Sequence, residues 1–182
     1  HVANALEAFR QERSLPVIQA RQFIEEQVQS QEKSLKTAQT ALTAFRLRYN
    51  INSVQAEADA VQSTIRSYRN SQKMAIVKAD EAEALAESYR QQAEAALKKS
   101  EAAATHDATA TADFYRGLAQ SSLSNATQQE AYAAGQKAAQ QRYDLLATQM
   151  GSRLAELVGI EGQYQTLSDN VSNARKQYSF LL

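Results

Sequence analysis

The side chains best suited to proton transfer or metal binding are scarce in this sequence. Only two histidines occur, His1 at the terminus and His106, and there is no cysteine. His106 stands beside Asp107, a neighbour that would suit a phospho-acceptor or a metal ligand. A metal site needs further ligands at converging positions, and none is offered nearby, so His106 reads as a polar residue in a turn. Adjacent carboxylates, the tools of general acid–base catalysis, occur as Glu25-Glu26 and in the cluster Asp80, Glu81, Glu83 and Glu87. On helices these interleave with Arg69, Lys78 and Arg90 and read as solvated i,i+3 and i,i+4 partners. Tyr49, Tyr68, Tyr89, Tyr143, Tyr164 and Tyr178 fall on apolar stripes, which favours seam packing with the hydroxyl left outside over a binding platform. No phosphate-cradling Gly loop, nucleophile elbow, zinc spacing or dinucleotide fingerprint is present. The sequence therefore assigns no catalytic, cofactor-binding or metal-ligating residue, implies no cofactor and points away from an enzyme.

If the chain does not work through a reactive centre, its elements must work through shape and contact. The 182 residues include five Gly and one Pro, Pro16. So few breakers imply few turns and long elements. Hydrophobic residues make up 43% of the chain, yet much of that is alanine, which builds narrow seams and not a thick core. Twenty basic residues balance twenty acidic ones and alternate without forming a block, so no footprint for nucleic acid or an anionic membrane is read from them. The lack of Cys excludes disulfide frameworks and thiol metal sites, and it suits an oxidising or a reducing compartment equally. No stretch approaches the roughly 20 apolar residues that span a bilayer, and none has the pattern of a signal peptide. The sequence starts on His1 and ends on Ser179-Phe180-Leu181-Leu182 in mid-pattern, which suggests a segment of something larger, with any anchor outside it.

The hydrophobic spacing is helical from end to end. Val2, Leu6 and Phe9 predict a short leading helix over 1–13, after which Ser14 and Pro16 predict a new helix or a kink, because proline is tolerated only in a first helical turn. Val17, Ile24, Ala38 and Phe45 then fall on one heptad position and Val28, Leu35, Leu42 and Tyr49 on the other, with Arg21 and Gln31 as polar interruptions. Asn50-Ile51-Asn52-Ser53 predicts a break short enough for an antiparallel hairpin, with Asn52 as cap of the next helix and Gln55 at its third position. Beyond it, Val54, Ala58, Val61, Ile65, Tyr68, Gln72, Ala75, Ala79, Ala82, Ala86, Tyr89, Ala93 and Ala96 alternate steps of four and three. That run is the strongest signal in the sequence.

Thr105-His106-Asp107-Ala108-Thr109-Ala110-Thr111 predicts a connection, followed by a short helix around Phe114, Tyr115 and Leu118, a second break at Ser121–Ser124 and a new cap at Asn125. The last helix carries Tyr143, Leu146, Met150, Leu154, Leu157, Ile160, Tyr164, Leu167, Val171, Ala174, Tyr178 and Leu181 at steps of three and four. Gly151, Gly159 and Gly162 within it read as hinges or close packing points. The predicted fold is all-α, an elongated antiparallel coiled-coil hairpin or bundle of long helices. Its parts are a leading helix over 1–13, a hairpin over 14–104 broken near 50–53, a connection or tip over 105–124 and a returning helix over 125–182.

Two stretches carry a family resemblance. The first comprises Ala3-Asn4-Ala5-Leu6, Ala20-Arg21-Gln22-Phe23-Ile24-Glu25-Glu26-Gln27-Val28, and Ala44-Phe45-Arg46 running into Tyr49-Asn50-Ile51. The second runs from Leu157-Val158-Gly159-Ile160-Glu161-Gly162-Gln163-Tyr164 through Leu167, Val171 and Ala174 to Tyr178-Ser179-Phe180-Leu181-Leu182. Together they resemble the helical part of bacterial polysaccharide co-polymerases, the chain-length determinant and exopolysaccharide transport proteins. The resemblance covers about a third of the chain and implies a periplasmic scaffold, part of an inner-membrane protein of the cell envelope. It also implies homo-oligomers, membrane contact only through segments outside this chain, partnership with polysaccharide polymerase and export machinery and often a tyrosine kinase, and no nucleic-acid partner. The mixed α/β membrane-proximal portion, the anchors and the kinase part of that family are missing here. The alternative is the α-helical hairpin of a periplasmic adaptor, or membrane fusion protein, that docks by its tip onto an outer-membrane channel. A cytoskeletal or membrane-curving helical protein is a further reading, disfavoured by the dispersed charge.

Overall fold

The computed structural model describes residues 2–182. His1 lies outside the described residues. Three helices account for nearly all of them: α1 (Val2–Tyr49), α2 (Val54–Thr105) and α3 (Thr109–Leu181). The fold is all-α, built from long helices paired antiparallel, with no strand among the described residues.

The two connections are built alike. After α1, Asn50 N–H donates to Leu47 O and Ile51 N–H to Arg46 O; after α2, Asp107 N–H donates to Ala104 O and Ala108 N–H to Ala103 O. Each is the six-to-one and five-to-two pairing of a Schellman ending. Each needs one left-handed residue, supplied by Asn50 (φ 52°) and Asp107 (φ 55°), two of the residue types that visit this region most readily. The helix after the first connection is capped by Ser53 and not by Asn52. Ser53 O accepts from Glu57 N–H at 3.1 Å and its Oγ from Ala56 N–H at 3.4 Å. Asn52 instead gives its carbonyl to the Tyr164 hydroxyl.

Three other boundaries differ from expectation. No helix starts anew at Pro16, because α1 runs through it as one element and residues 12 and 13 are exposed to solvent, which can donate to the carbonyl that proline leaves unpaired. The break at Ser121–Ser124 is absent as well: α3 is continuous from Thr109, the connection shrinks to the residues between Thr105 and Thr109, and Asn125 is helical. Serine competes for the backbone only where water or a turn offers an alternative, and Ser122 is instead buried in a helical interface. Nor do α1 and α2 form the expected hairpin across 50–53, for both take α3 as their partner.

The chain divides into two compact units, one of residues 59–154 and one of 2–58 with 155–182. In the first, α2 and the leading part of α3 lie antiparallel. Ala93 and Ala96 pack with Ala119 and Tyr115, Tyr68 meets Tyr143 with ring centroids 6.3 Å apart, and Ser100 Oγ donates to Ala112 O at 2.9 Å. Counting sevens in opposite directions from Ala93 and Ala119 brings Ala86 level with Ala126 and Ala79 with Ala133, all at most 3% exposed. Methyl groups on both sides let the backbones approach closely. Ion pairs Arg69–Asp144 (2.5 Å), Arg90–Glu130 (2.5 Å) and Lys137–Glu83 cross the same pair. The hydrogen bond from Lys137 to Glu83, backed by their Coulombic attraction, raises the ammonium pKa above its ordinary value. These pairs are exposed and add little beyond register.

All thirteen α2 positions from Val54 to Ala96 and all twelve α3 positions from Tyr143 to Leu181 predicted for the seam are buried or half-buried. The three glycines are not close packing points: a Cβ built on Gly151, Gly159 or Gly162 meets nothing within 4 Å. Two outcomes follow for thermal or urea unfolding monitored by circular dichroism. Ala119→Leu, which forces a large side chain into the methyl seam, should lower stability by about 1–3 kcal/mol. Gly151→Ala and Gly159→Ala should each raise it by about 1 kcal/mol, since they gain helix propensity without a clash.

Candidate functional site

The sequence-level candidates for chemistry do not converge. His106 and Asp107 are exposed in the second connection, where their N–H groups close the end of α2. Glu25 pairs with Arg21 (Nε–Oε1 2.9 Å) on an exposed stretch of α1, and Glu26 is exposed beside it. Of the α2 acids, Glu83 reaches Lys137 on α3 and Glu87 accepts from Gln91, so the cluster fans outward. Among the described residues no group of three or more His, Cys, Asp or Glu is placed to hold a metal, and no helix is long and apolar enough to cross a membrane. All six stripe tyrosines are half-buried, in keeping with seam packing.

Two places carry more than helix pairing. The first is the tip, where α2 hands over to α3. Phe114 is 66% exposed there, its ring 5.4 Å from that of Tyr115 in an edge-on arrangement, and Lys99 Nζ sits 5.6 Å above the Tyr115 ring. Lys99, Tyr115 and Leu118 line a shallow 240 Å³ depression with Gln92 and Ser122. An exposed aromatic with flanking aliphatic and cationic groups has the composition of a contact surface.

The second lies in the other unit, where α1 gives way to α2 beside α3. Tyr164 on α3 is its centre. Its hydroxyl donates to Asn52 O at 3.2 Å and accepts from Arg46 Nη2 at 3.3 Å. Its ring lies 6.2 Å from that of Phe45, and the Arg46 guanidinium sits 5.9 Å over it. Five of the six large aliphatic side chains in the buried core, Leu42, Ile51, Val54, Leu157 and Ile160, belong to this unit, and Leu157 is wholly enclosed. Tyr164 thus ties the first connection to α3 by one ring and one hydroxyl.

α1 outruns α3: before Gln27 it continues without a partner among the described residues. The last turn of α3 lies beside Gln27 and Gln31, and every α1 residue from 2 to 26 is exposed. Val2, Leu6, Phe9, Val17 and Ile24 there are 52–76% exposed. Leu6 and Leu42, like Phe9 and Phe45, are thirty-six residues apart, ten turns at 3.6 residues each, so the open stripe continues the line of the buried one. The seam expected at Val17 and Ile24 is therefore present as a pattern but not covered. The local spacing puts Tyr164 on a stripe but does not mark it as the clasp, for nothing in that pattern tells which hydroxyl meets a connection far away.

Comparison with protein-family models, with curated proteins and with solved structures finds no match to this chain.

The clasp generates a measurable outcome. Tyr164→Phe keeps the ring and removes the hydroxyl, leaving Asn52 O and Arg46 Nη2 without that partner. It should cost about 1 kcal/mol, measured by urea unfolding, whereas Tyr178→Phe, on the same helix, should be nearly silent.

Proposed function

We propose that this chain is the non-enzymatic, extracytoplasmic coiled-coil scaffold of a membrane-anchored bacterial polysaccharide co-polymerase, one that helps set the length or export of a surface polysaccharide. The observation that carries the reading is that the two stretches with the family resemblance meet in space. Phe45 and Arg46 of the first touch Tyr164 of the second across 118 residues of sequence, so the resemblance falls on two faces of a single antiparallel unit. The open stripe over residues 2–26 gives a second support. A helix that keeps its apolar line beyond its own partner is suited to lie against further helices, as a self-associating scaffold of this kind requires. In this reading the chain does its work by reach and association, in the periplasm, beside the polymerase and export machinery.

The test is genetic. Replacing Val2–Leu182 in the intact gene by a short flexible linker, in the organism that carries it, should broaden or shorten the length distribution of the exported polysaccharide on a gel while leaving its sugar composition intact. An unchanged length distribution and unchanged export would overturn the proposal.

A further inference from the structure

The chain is neutral overall, but its charge is not evenly laid out once the helices pair. Residues 33–56 carry Lys33, Lys36, Arg46 and Arg48 between Glu32 and Glu57, and residues 162–182 of α3 carry Arg175 and Lys176 against Asp169, with Glu161 just before them. Each unit is itself neutral, with eleven basic and eleven acidic side chains over 59–154 and nine of each over the rest, so any excess of one sign is local.

Three of those cations line one groove. Between α1 and α3 lies a cavity of about 440 Å³ whose polar wall is made by Arg46, Arg175 and Lys176 with the hydroxyls of Thr43, Ser168 and Ser172, over a floor that includes Leu42. No carboxylate lines it. None of the three cations belongs to an ion pair among the described residues, although Arg69, Arg90 and Lys137 of the other unit each have one. Arg46 is the most confined. One nitrogen reaches the Tyr164 hydroxyl, while its Nε is enclosed with no acceptor. A guanidinium stays charged under all ordinary conditions, so its enclosed N–H cannot be relieved by losing a proton. The dipole at the end of α1 accounts for Arg46 and Arg48, which stand in its last turn. It does not account for Arg175 and Lys176, because they precede the last turn of α3, where no basic residue stands. Like charges gathered without a counter-charge repel, and the arrangement is relieved by an anion seated among them.

We propose that this groove is a binding site for a small oxyanion, a carboxylate or phosphate group. Arg175 and Lys176 supply the charge, Arg46 supplies a further positive wall, and Thr43, Ser168 and Ser172 supply hydroxyl donors around it. Arginine forks match both oxyanions in geometry, and charge-assisted bonds of this type are the strong ones. The volume falls in the range of small-molecule sites, about 300–1,000 Å³, so the group can be carried on a body such as a sugar ring.

The test is a titration of the full 182-residue chain by calorimetry at low ionic strength with inorganic phosphate, with glucuronate and with uncharged glucose. Phosphate or glucuronate should bind and glucose should not, and the Arg175→Gln/Lys176→Gln double variant should weaken anion binding by about tenfold or more. Lys98→Gln/Lys99→Gln at the tip should leave it unchanged, and circular dichroism should show both variants equally helical. Tighter glucuronate than phosphate identifies an acidic sugar as the source of the group, the reverse identifies a phosphate ester, and either supports the site. Absence of anion binding, or equal binding by the parent chain and the Arg175/Lys176 variant, would overturn the proposal. Because none of these readouts concerns polysaccharide length, the groove can fail while the scaffold reading stands, and the converse holds too.

Discussion

Antiparallel burial of small side chains along α3 is the constraint on which this protein rests. A helix in water is marginal on its own and persists because one face is hidden. In the unit of residues 59–154 that face is almost wholly alanine, with Ala75, Ala79, Ala82, Ala86, Ala93 and Ala96 on α2 and Ala112, Ala119, Ala126, Ala133 and Ala147 on α3 each at most 4% exposed. A methyl group removes little apolar area from water, so stabilisation must come from many layers, close backbone approach and the high intrinsic helix propensity of alanine. Such a seam has little tolerance for a large residue at any layer. It has correspondingly little use for a pocket, which is why the grooves along it are shallow.

The other unit solves the same problem with larger pieces. Leu42, Ile51, Val54, Leu157 and Ile160 hide more surface per residue, and Tyr164 adds a hydroxyl that reads the first connection directly through Asn52. The clasp sits where α1 stops and α2 starts, a place that needs definition because a chain leaving a helix can go in several directions. Schellman endings at Asn50 and Asp107 fix the local path, and the aromatic contact fixes what that path lies against.

Function and fold meet in how the faces are divided. The seams absorb the apolar residues, the solvated faces absorb most charge, and what is left over is informative. The uncovered stripe before Gln27 repeats the direction of the covered one, and the groove lined by Arg46, Arg175 and Lys176 has no carboxylate in its walls. Neither is required for the pairing of α1 with α3. Both are features that a neutral total charge and an average hydropathy conceal.

Sequence alone determined that the protein is all-α, that its helices are long, and which residues of α2 and of the later part of α3 face inward, because a step of three and four is a local property that each helix carries by itself. It also located both connections within a few residues, through the tolerance of Asn for the left-handed region at the first and the competition of Thr and Asp for backbone hydrogen bonds at the second. It did not extend the seam through Ala112, Ala119, Ala126 and Ala133, because small residues at seven-residue intervals do not differ in type from solvent-facing alanines. It could not show that α3, and not α2, is the partner of α1, for any apolar stripe of the right spacing is complementary to any other. Nor could it bring Arg46 to Arg175 and Lys176, or Tyr164 to Asn52. Those meetings join residues more than a hundred positions apart, and they follow only from which stripes pair and in what register.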